Sequence, residues 1–165
     1  MAMAFNAREV FDIGVQIEAN GKAFYEAAAE KTAETVTREF FLELAAWEGQ
    51  HITLFGELRD ALPAGAGSAQ VFDPNDEAAM YLRATADSHV FVKNTDMAAL
   101  VAGCRGPLEI LDIAITFEKD SVVYYTTMKK VVAKNLGQDK VDRLIDEEIK
   151  HIGLLSQRRA KLAKH

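Results

Sequence analysis

Six carboxylate and imidazole residues recur in this 165-residue sequence at a constant separation. In each of two sets, a glutamate is followed thirty residues later by a second glutamate and three residues after that by a histidine. The second set lies 100 residues after the first. The two sets are Glu18, Glu48 and His51, and Glu118, Glu148 and His151. Because these residue types bind divalent transition metals, their repetition indicates a metal site.

The same offset relates residues that do not bind metals. A conserved separation over many positions predicts two copies of one structural unit, here a helical hairpin. The further pairs are Glu9 and Glu109, Asp12 and Asp112, Ile13 and Ile113, Tyr25 and Tyr125, Ile52 and Ile152, and Leu54 and Leu154.

Helical geometry explains why these residues belong together. Positions i and i+3 share one face of a helix, so Glu48 and His51 point in one direction. A turn near residue 33 places Glu18 level with Glu48 across an antiparallel pair, and a turn near or just past residue 133 does the same in the second copy. Two such hairpins packed about a two-fold axis gather four carboxylates and two imidazoles, the ligand set of a dinuclear carboxylate site.

An alternative is that each E-x-x-H pair belongs to a solvated helix face, where such charged pairs are common. The apolar neighbours of Glu18, Glu118 and Glu148 favour burial instead. Buried carboxylates require compensation by a cation or a proton, which favours the metal site. These neighbours include Val10, Phe11, Val15, Ile17 and Phe24 near Glu18, Ile115, Phe117 and Val122 near Glu118, and Ile145 and Ile149 near Glu148.

Four segments resemble the ligand-bearing helices of the rubrerythrin branch of the ferritin-like superfamily, in the same order. They read I-E-A-N-G-K-A-F-Y-E-A-A-A-E, A-W-E-G-Q-H, F-E-K-D-S-V-V-Y-Y and D-E-E-I-K-H, and the likeness covers residues 6–62 and 107–162. The resemblance implies an all-α, ferritin-like four-helix bundle in a single domain spanning residues 1–165. Its parts would be hairpin 1 (about 6–62), a long crossover with an additional helix (about 63–106) and hairpin 2 (about 107–162).

The resemblance also implies a role for each site residue. Glu18 and Glu118 would each bind one metal, Glu48 and Glu148 would bridge or chelate, and His51 and His151 would be terminal ligands. The cofactor would be two metal ions per chain, with iron favoured by the oxygen-rich donor set and manganese or zinc as alternatives.

Tyr25 and Tyr125 would support those ligands from behind. Each lies two helical turns after Glu18 or Glu118 and could hydrogen-bond a ligand carboxylate of a neighbouring helix. A role as core aromatics with satisfied hydroxyl groups is an equal alternative.

Two departures from rubrerythrins bear on activity. The chain has a single cysteine, Cys104, so it lacks the C-x-x-C pairs of a rubredoxin module, and electrons must come from an external donor. The family's extra glutamate one turn after the third ligand is replaced by Ser121 or Val122. The leading hypothesis is a redox reaction with peroxide or dioxygen in oxidative-stress defence, and the alternatives are a ferroxidase or iron-handling protein and a non-catalytic, metal-stabilised bundle.

Composition narrows the partners. A net charge of −6 argues against nucleic-acid binding, and no stretch approaches the roughly 20 apolar residues of a membrane span. The N-terminal residues do not resemble a signal peptide, so we expect a cytoplasmic protein, and the apolar crossover favours a homodimer. Cys104 is expected to be a buried thiol rather than a catalyst.

Capping and breaker residues place the helices. Asn6 with Glu9 predicts a capping box, Pro63 an end, and Asp73-Pro74 and Gly106-Pro107 two starts. His89 is interpreted as a surface or packing residue rather than a ligand. The predicted helices cover about 7–31, 36–61, 74–93, 96–103, 107–134 and 138–162.

Overall fold

A computed structural model of the chain describes residues 7–63, 80, 81, 84, 96–132 and 134–164. Five α-helices can be bounded within these residues, and the all-α prediction is confirmed. They are α1 (Ala7–Lys31), α2 (Thr35–Asp60), α3 (Met97–Gly103), α4 (Pro107–Val131) and α5 (Gln138–Leu162), with a 3-10 turn at Lys134–Leu136. Of the predicted helix at 74–93, only residues 80, 81 and 84 are described, and they are helical. Its cap at Asp73-Pro74, His89 and the capping residue Asn6 lie outside the described residues.

The two hairpin turns fall close to residues 33 and 133, where the sequence predicts them. The first is short because Glu34 caps α2: its carboxylate accepts hydrogen bonds from the backbone nitrogens of Val36 (2.8 Å) and Thr37 (2.7 Å). The second ends at Gly137, which has a φ of 96°. A β-carbon on Gly137 would lie 2.3 Å from Leu58 Cδ2, so this turn requires glycine for both its backbone conformation and its packing against α2.

The described helices form two antiparallel hairpins that pack against one another. Helix α1 lies along α2, α4 lies along α5, and the hairpins meet chiefly between α1 and α4. Their shared core is aromatic, with Phe11, Phe24, Tyr25, Phe41, Phe55, Tyr124 and Tyr125 buried. Aromatic side chains each bury a large apolar area, so these rings contribute strongly to the stability of the bundle.

An ion pair ties the two helices of each hairpin together at equivalent positions. Arg59 Nη1 donates to Asp12 Oδ1 at 3.1 Å in the first hairpin. In the second, Arg159 donates through Nε and Nη2 to both carboxylate oxygens of Asp112. The 100-residue repeat therefore includes structural contacts as well as the ligand types. This contact of Arg159 was not predicted from the sequence.

Helix α3, within the predicted crossover, packs against α1, and the side chain of Lys31 connects the two helices. Lys31 Nζ at the end of α1 donates to the backbone oxygens of Val101, Ala102 and Cys104 at 2.9, 2.8 and 2.6 Å. These carbonyls close the C-terminal end of α3, where a cation is favourable. Cys104 is buried, as predicted. None of the described helices is both long enough and apolar enough to cross a membrane.

Candidate metal centre

The structure brings all six predicted ligand residues into one buried cluster at the middle of the bundle. Each of the four helices of the hairpins contributes: α1 and α4 carry one glutamate each, while α2 and α5 carry a glutamate and a histidine. No member is more than 4% exposed. The cluster consists of Glu18, Glu48, His51, Glu118, Glu148 and His151.

The cluster divides into two quartets that share two residues. In each quartet one donor atom per residue lies within 4.8 Å of all the others, which is close enough for a common metal ion. Glu48 and Glu148 belong to both quartets. The quartets are Glu18, Glu48, His51 and Glu148, and Glu48, Glu118, Glu148 and His151. Two carboxylates shared between two sets of donors is the arrangement of a dinuclear site with bridging glutamates.

Both imidazoles present Nδ1 to the carboxylates. His51 Nδ1 lies 3.4 Å from Glu18 Oε2, 3.3 Å from Glu48 Oε2 and 3.1 Å from Glu148 Oε1. His151 Nδ1 lies 3.0 Å from Glu148 Oε2 and 3.8 Å from Glu118 Oε1. The two imidazole rings face each other with centroids 5.7 Å apart.

Two buried polar atoms of the cluster, both possible metal ligands, have no hydrogen-bond partner among the described residues. They are His51 Nδ1 and Glu148 Oε1. Although the two atoms are only 3.1 Å apart, their relative orientation does not make a hydrogen bond. Buried polar atoms are normally paired, so two that converge without pairing indicate a third species between them. With this observation, the carboxylate and imidazole donors fit a dinuclear metal site.

The two tyrosines connect the hairpins crosswise. The hydroxyl of Tyr25 on α1 donates to Glu118 Oε1 on α4, and the hydroxyl of Tyr125 on α4 donates to Glu18 Oε1 on α1. Both rings are buried. Each tyrosine thus orients the terminal glutamate of the opposite hairpin. In Glu18 the other oxygen, Oε2, lies 3.4 Å from His51 Nδ1, whereas in Glu118 the oxygen that accepts from Tyr25 is also the one 3.8 Å from His151 Nδ1.

Burial and mutual repulsion govern the protonation of the carboxylates. Burial, followed by repulsion from Glu18 and Glu118, raises the pKa of Glu48 well above its usual range. Burial also raises the pKa of Glu118 and of Glu148. Glu18 differs: burial raises its pKa, but its close contacts with Glu48 and His51 outweigh burial and lower it. In the metal-free cluster, burial and repulsion therefore favour the protonated forms of Glu48, Glu118 and Glu148, and Glu18 is the carboxyl group that ionises most readily.

The histidines respond in opposite directions. Burial lowers the pKa of His51, but the close carboxylates of Glu148, Glu18 and Glu48 outweigh burial and raise it strongly. Burial lowers the pKa of His151 below its usual value despite the charge of Glu118. A metal that binds His51 Nδ1 must therefore compete with a proton. A metal that binds His151 Nδ1 competes less with protons, because the lowered pKa of His151 favours the neutral imidazole.

A small cavity adjoins the cluster between α1 and α4. Its volume is about 10 Å³ of space for the centre of a water-sized molecule, enough for about one such molecule. Gly21 and Ser121, equivalent in the repeat, both line it, and a β-carbon on Gly21 would lie 3.6 Å from the Glu48 carboxyl group. The residue type that the sequence analysis noted in place of a glutamate, Ser121, thus keeps this space open.

Two residues next to the cluster were missed by sequence reasoning. Glu147 Oε2 lies 2.8 Å from His51 Nε2. Trp47 stacks on the His151 ring, with centroids 4.9 Å apart and planes inclined by 5°. Positions 47 and 147 are also 100 residues apart, so the two copies differ at this position, but the sequence alone does not show that either residue contacts a histidine.

Comparison with known proteins identifies the fold. No protein-family model matches the sequence, and neither does any curated protein. A crystal structure of a Thermotoga maritima protein, inferred to be a ferritin-like diiron-carboxylate protein, superposes with a TM-score of 0.73 at 23% sequence identity. The likeness covers 95% of this chain and 96% of that one. This chain therefore has the ferritin-like helical-bundle fold.

Proposed function

We propose that the cluster binds two iron ions and that the protein is an oxidoreductase that reduces peroxide or dioxygen in oxidative-stress defence. The observation that carries the proposal is the sharing of Glu48 and Glu148 between two quartets of donors. When bound, an Fe(II) pair supplies the two electrons that cleavage of an O–O bond requires. The diiron-carboxylate assignment of the structurally similar Thermotoga maritima protein supports the choice of metal.

The donor set favours iron over structural zinc. Structural zinc sites are closed tetrahedra of thiolate and imidazole, whereas this cluster has four carboxylates and two imidazoles. Manganese and zinc share some of these preferences and are tested alongside iron. The two carboxylate oxygens of Glu48 and Glu148 allow each group to bridge or chelate as the charge between them changes.

The cavity supports a small, neutral oxidant as substrate. Its space for about one water-sized molecule lies against Glu48 and Glu118, which suits a molecule of the size of peroxide or dioxygen. Burial, followed by the charge of Glu118, raises the pKa of Tyr25, and burial with the charge of Glu18 raises that of Tyr125. Both hydroxyl groups therefore stay protonated and continue to donate to those glutamates during a reaction near neutral pH.

The source of electrons must lie outside the chain. Cys104 is the sole cysteine in the sequence, so no iron-thiolate relay of the rubredoxin type is encoded in it. We therefore include an external electron donor in the proposal, as in a rubrerythrin-like protein without its relay module. A reductant added to the assay takes that role.

The test is anaerobic loading of chelator-free protein with Fe(II), addition of hydrogen peroxide, and measurement of near-ultraviolet absorption and peroxide consumption. We expect uptake of about two irons per chain, rapid oxidation, and turnover when a reductant is supplied. Glu48→Ala should abolish turnover. Glu43→Ala, which removes an exposed glutamate from the same helix, should retain it.

Three other outcomes have separate meanings. Oxidised iron that accumulates well beyond two per chain would replace the proposal with the iron-handling alternative. Tight binding of two metals without peroxide or dioxygen turnover would leave a metal-stabilised bundle. Absence of specific metal uptake would refute the site itself.

A further inference from the structure

Positions 47 and 147 are equivalent in the 100-residue repeat but carry different residues, a tryptophan and a glutamate. Each lies four residues before a histidine of the cluster on its own helix, but faces the histidine of the other hairpin. Glu147 on α5 meets His51 on α2, and Trp47 on α2 meets His151 on α5. One histidine therefore has a carboxylate neighbour and the other has an indole.

His51 is held by oxygen atoms at both ring nitrogens. Nδ1 lies 3.1 to 3.4 Å from three carboxylate oxygens of the cluster, while Nε2 points away from it to Glu147 Oε2 at 2.8 Å. When Nδ1 binds a metal, the ring proton must reside on Nε2, which then donates to Glu147. A carboxylate acceptor at that position fixes the tautomer and orientation of a metal-bound histidine and increases its donor strength.

Solvent reaches the carboxylate that performs this role. The Glu147 side chain is 59% exposed, whereas the His51 side chain is 3% exposed. Glu147 thus keeps its own hydration and offers one oxygen to the ring at little desolvation cost. A buried carboxyl group at position 147 would instead be the fifth in the cluster and would lose its hydration as the other four do.

His151 receives no comparable support from position 47. The indole of Trp47 is a donor only and offers no oxygen to accept a proton from the imidazole. It lies parallel to the ring, and Lys150 Nζ lies 5.2 Å from the indole centroid, so a cation lies close to this half of the cluster. Stacking holds the ring plane but does not increase its donor strength.

We propose that the two metal positions are inequivalent, with the Glu18 and His51 position binding a divalent ion more tightly and filling first. The inference rests on the proposed dinuclear site. Glu147 acts as a positioning residue through His51, and Trp47 leaves the Glu118 and His151 position weaker. Outer carboxylates on metal-bound histidines change metal affinity by roughly 10- to 100-fold, which sets the expected separation of the two binding steps.

The test is an anaerobic titration of metal-free protein with Mn(II), followed by calorimetry and by electron paramagnetic resonance. We expect two binding steps about 10- to 100-fold apart, and at one equivalent a spectrum dominated by isolated Mn(II) rather than by spin-coupled pairs. Glu147→Ala should weaken the first step by that factor and bring the steps together, and Glu147→Gln should fall between. Asp146→Asn removes an adjacent exposed charge from the same helix and should leave both steps unchanged.

A double-mutant cycle separates positioning from a general effect of charge or stability. In a His51→Ala background Glu147→Ala should have no further effect on Mn(II) affinity, because the residue acts through that ring. In a His151→Ala background the full 10- to 100-fold effect should remain. Equal effects in both backgrounds would overturn the inference.

The remaining outcomes distinguish this inference from the proposed function. Two Mn(II) ions bound with a single affinity would overturn the inequivalence and leave the dinuclear site intact. Absence of Mn(II), Fe(II) and Zn(II) binding would refute both. The variant Trp47→Glu provides a check in the opposite direction, because a carboxylate facing His151 should tighten the second step.

Discussion

The two hairpins present the same ligands from different surroundings. Glutamates, histidines, tyrosines and the outer Asp-Arg pair recur at the 100-residue offset, and their contacts recur with them. Several neighbouring positions do not: for example, Gly14, Trp47 and Phe55 of the first copy correspond to Ala114, Glu147 and Leu155 of the second. The comparison teaches that the ligand geometry has been kept twice, while the packing and the charges around it differ between the halves.

Packing differs through a compensating exchange of size. In the first hairpin, a β-carbon on Gly14 would lie 3.0 Å from three ring atoms of Phe55, so the large ring occupies the space that a methyl group would need. The second hairpin has alanine and leucine at the equivalent positions, with Ala114 and Leu155 fully buried. One small and one large residue in one half replace two of intermediate size in the other.

The largest expected effect tests whether Glu48 and Glu148 are shared equally. We expect Glu48→Ala and Glu148→Ala each to reduce bound metal from about two ions per chain to well below one, because each removes a ligand from both quartets. His151→Ala removes a ligand from one quartet and should leave about one ion per chain. Elemental analysis after anaerobic Fe(II) loading measures this. Equal loss in all three variants would contradict the division into two quartets.

The pH dependence should separate Glu18 from Glu118. The raised pKa of Glu118 means that its contribution to the stability of metal-free protein is present below its ordinary pKa of 4.5 and is lost as the pH rises above it. The lowered pKa of Glu18 stabilises above that value, and this contribution is lost as the pH falls. Glu118→Gln should therefore reduce the loss of Tm with rising pH, whereas Glu18→Gln should lower Tm at neutral pH.

Thermal unfolding of the metal-free variants between pH 4 and pH 8 measures this difference. A change of about 1 kcal/mol corresponds to about 2–4 °C in a domain of this size, so shifts of a few degrees are expected. If both variants changed Tm in the same direction at neutral pH, the opposite protonation of the two glutamates would be wrong. With metal bound, the pH dependence should become flatter, because metal replaces the protons.

The crossed tyrosines should contribute unequally to stability. Tyr125→Phe removes a donor from Glu18, the carboxylate with the lowered pKa, and should cost about 1.5–3 kcal/mol, the range for hydrogen bonds to charged groups. Tyr25→Phe removes a donor from Glu118, whose raised pKa favours its neutral form, and should cost about 0.5–1.5 kcal/mol.

Urea unfolding of the metal-free variants provides the measurement for the tyrosines. Tyr124→Phe is a matched control. It removes a buried hydroxyl group that donates to the Val10 backbone oxygen at 3.1 Å rather than to a glutamate of the cluster. Identical costs for Tyr25→Phe and Tyr125→Phe would show that the two glutamates are in the same protonation state.

The last prediction concerns the packing exchange. Gly14→Ala should destabilise by about 1–2 kcal/mol, because a clash with Phe55 of about 1–3 kcal/mol outweighs a gain in helix propensity of about 0.5–1 kcal/mol. Adding Phe55→Leu, which reproduces the pair of the second hairpin, should recover part of that loss. Thermal unfolding of the single and double variants tests this. Strict additivity would show that the two positions are independent.

Periodic and breaker signals predicted most of the fold. Each described helix begins and ends within about three residues of its expected bounds, because Gly106-Pro107 and Asn135-Leu136-Gly137 restrict the backbone locally. Glu34 was not anticipated as a cap, since glutamate is not among the residues that usually cap a helix. The assignment depends on both of its oxygen atoms reaching backbone nitrogens, which only the folded turn shows.

The members of the buried cluster could be predicted from the sequence, but the difference between positions 47 and 147 beside it could not. Six ligand residues stand out because their types and offsets repeat. Trp47 and Glu147 do not, since a difference between two copies has no meaning until the fold shows that each faces a histidine of the opposite hairpin. The cavity beside Gly21 and Ser121 is likewise a property of two helices together.

The crossed tyrosine contacts have a consequence for how the halves assemble. Each hairpin receives the tyrosine hydrogen bond to its terminal glutamate from the other hairpin, because the hydroxyl that binds Glu18 is on α4 and the one that binds Glu118 is on α1. A hairpin docked in the wrong register would leave a glutamate buried without its donor, a penalty that grows as the interface closes and water leaves. The two tyrosines thus favour the one register of the hairpins in which each hydroxyl reaches the glutamate of the other hairpin.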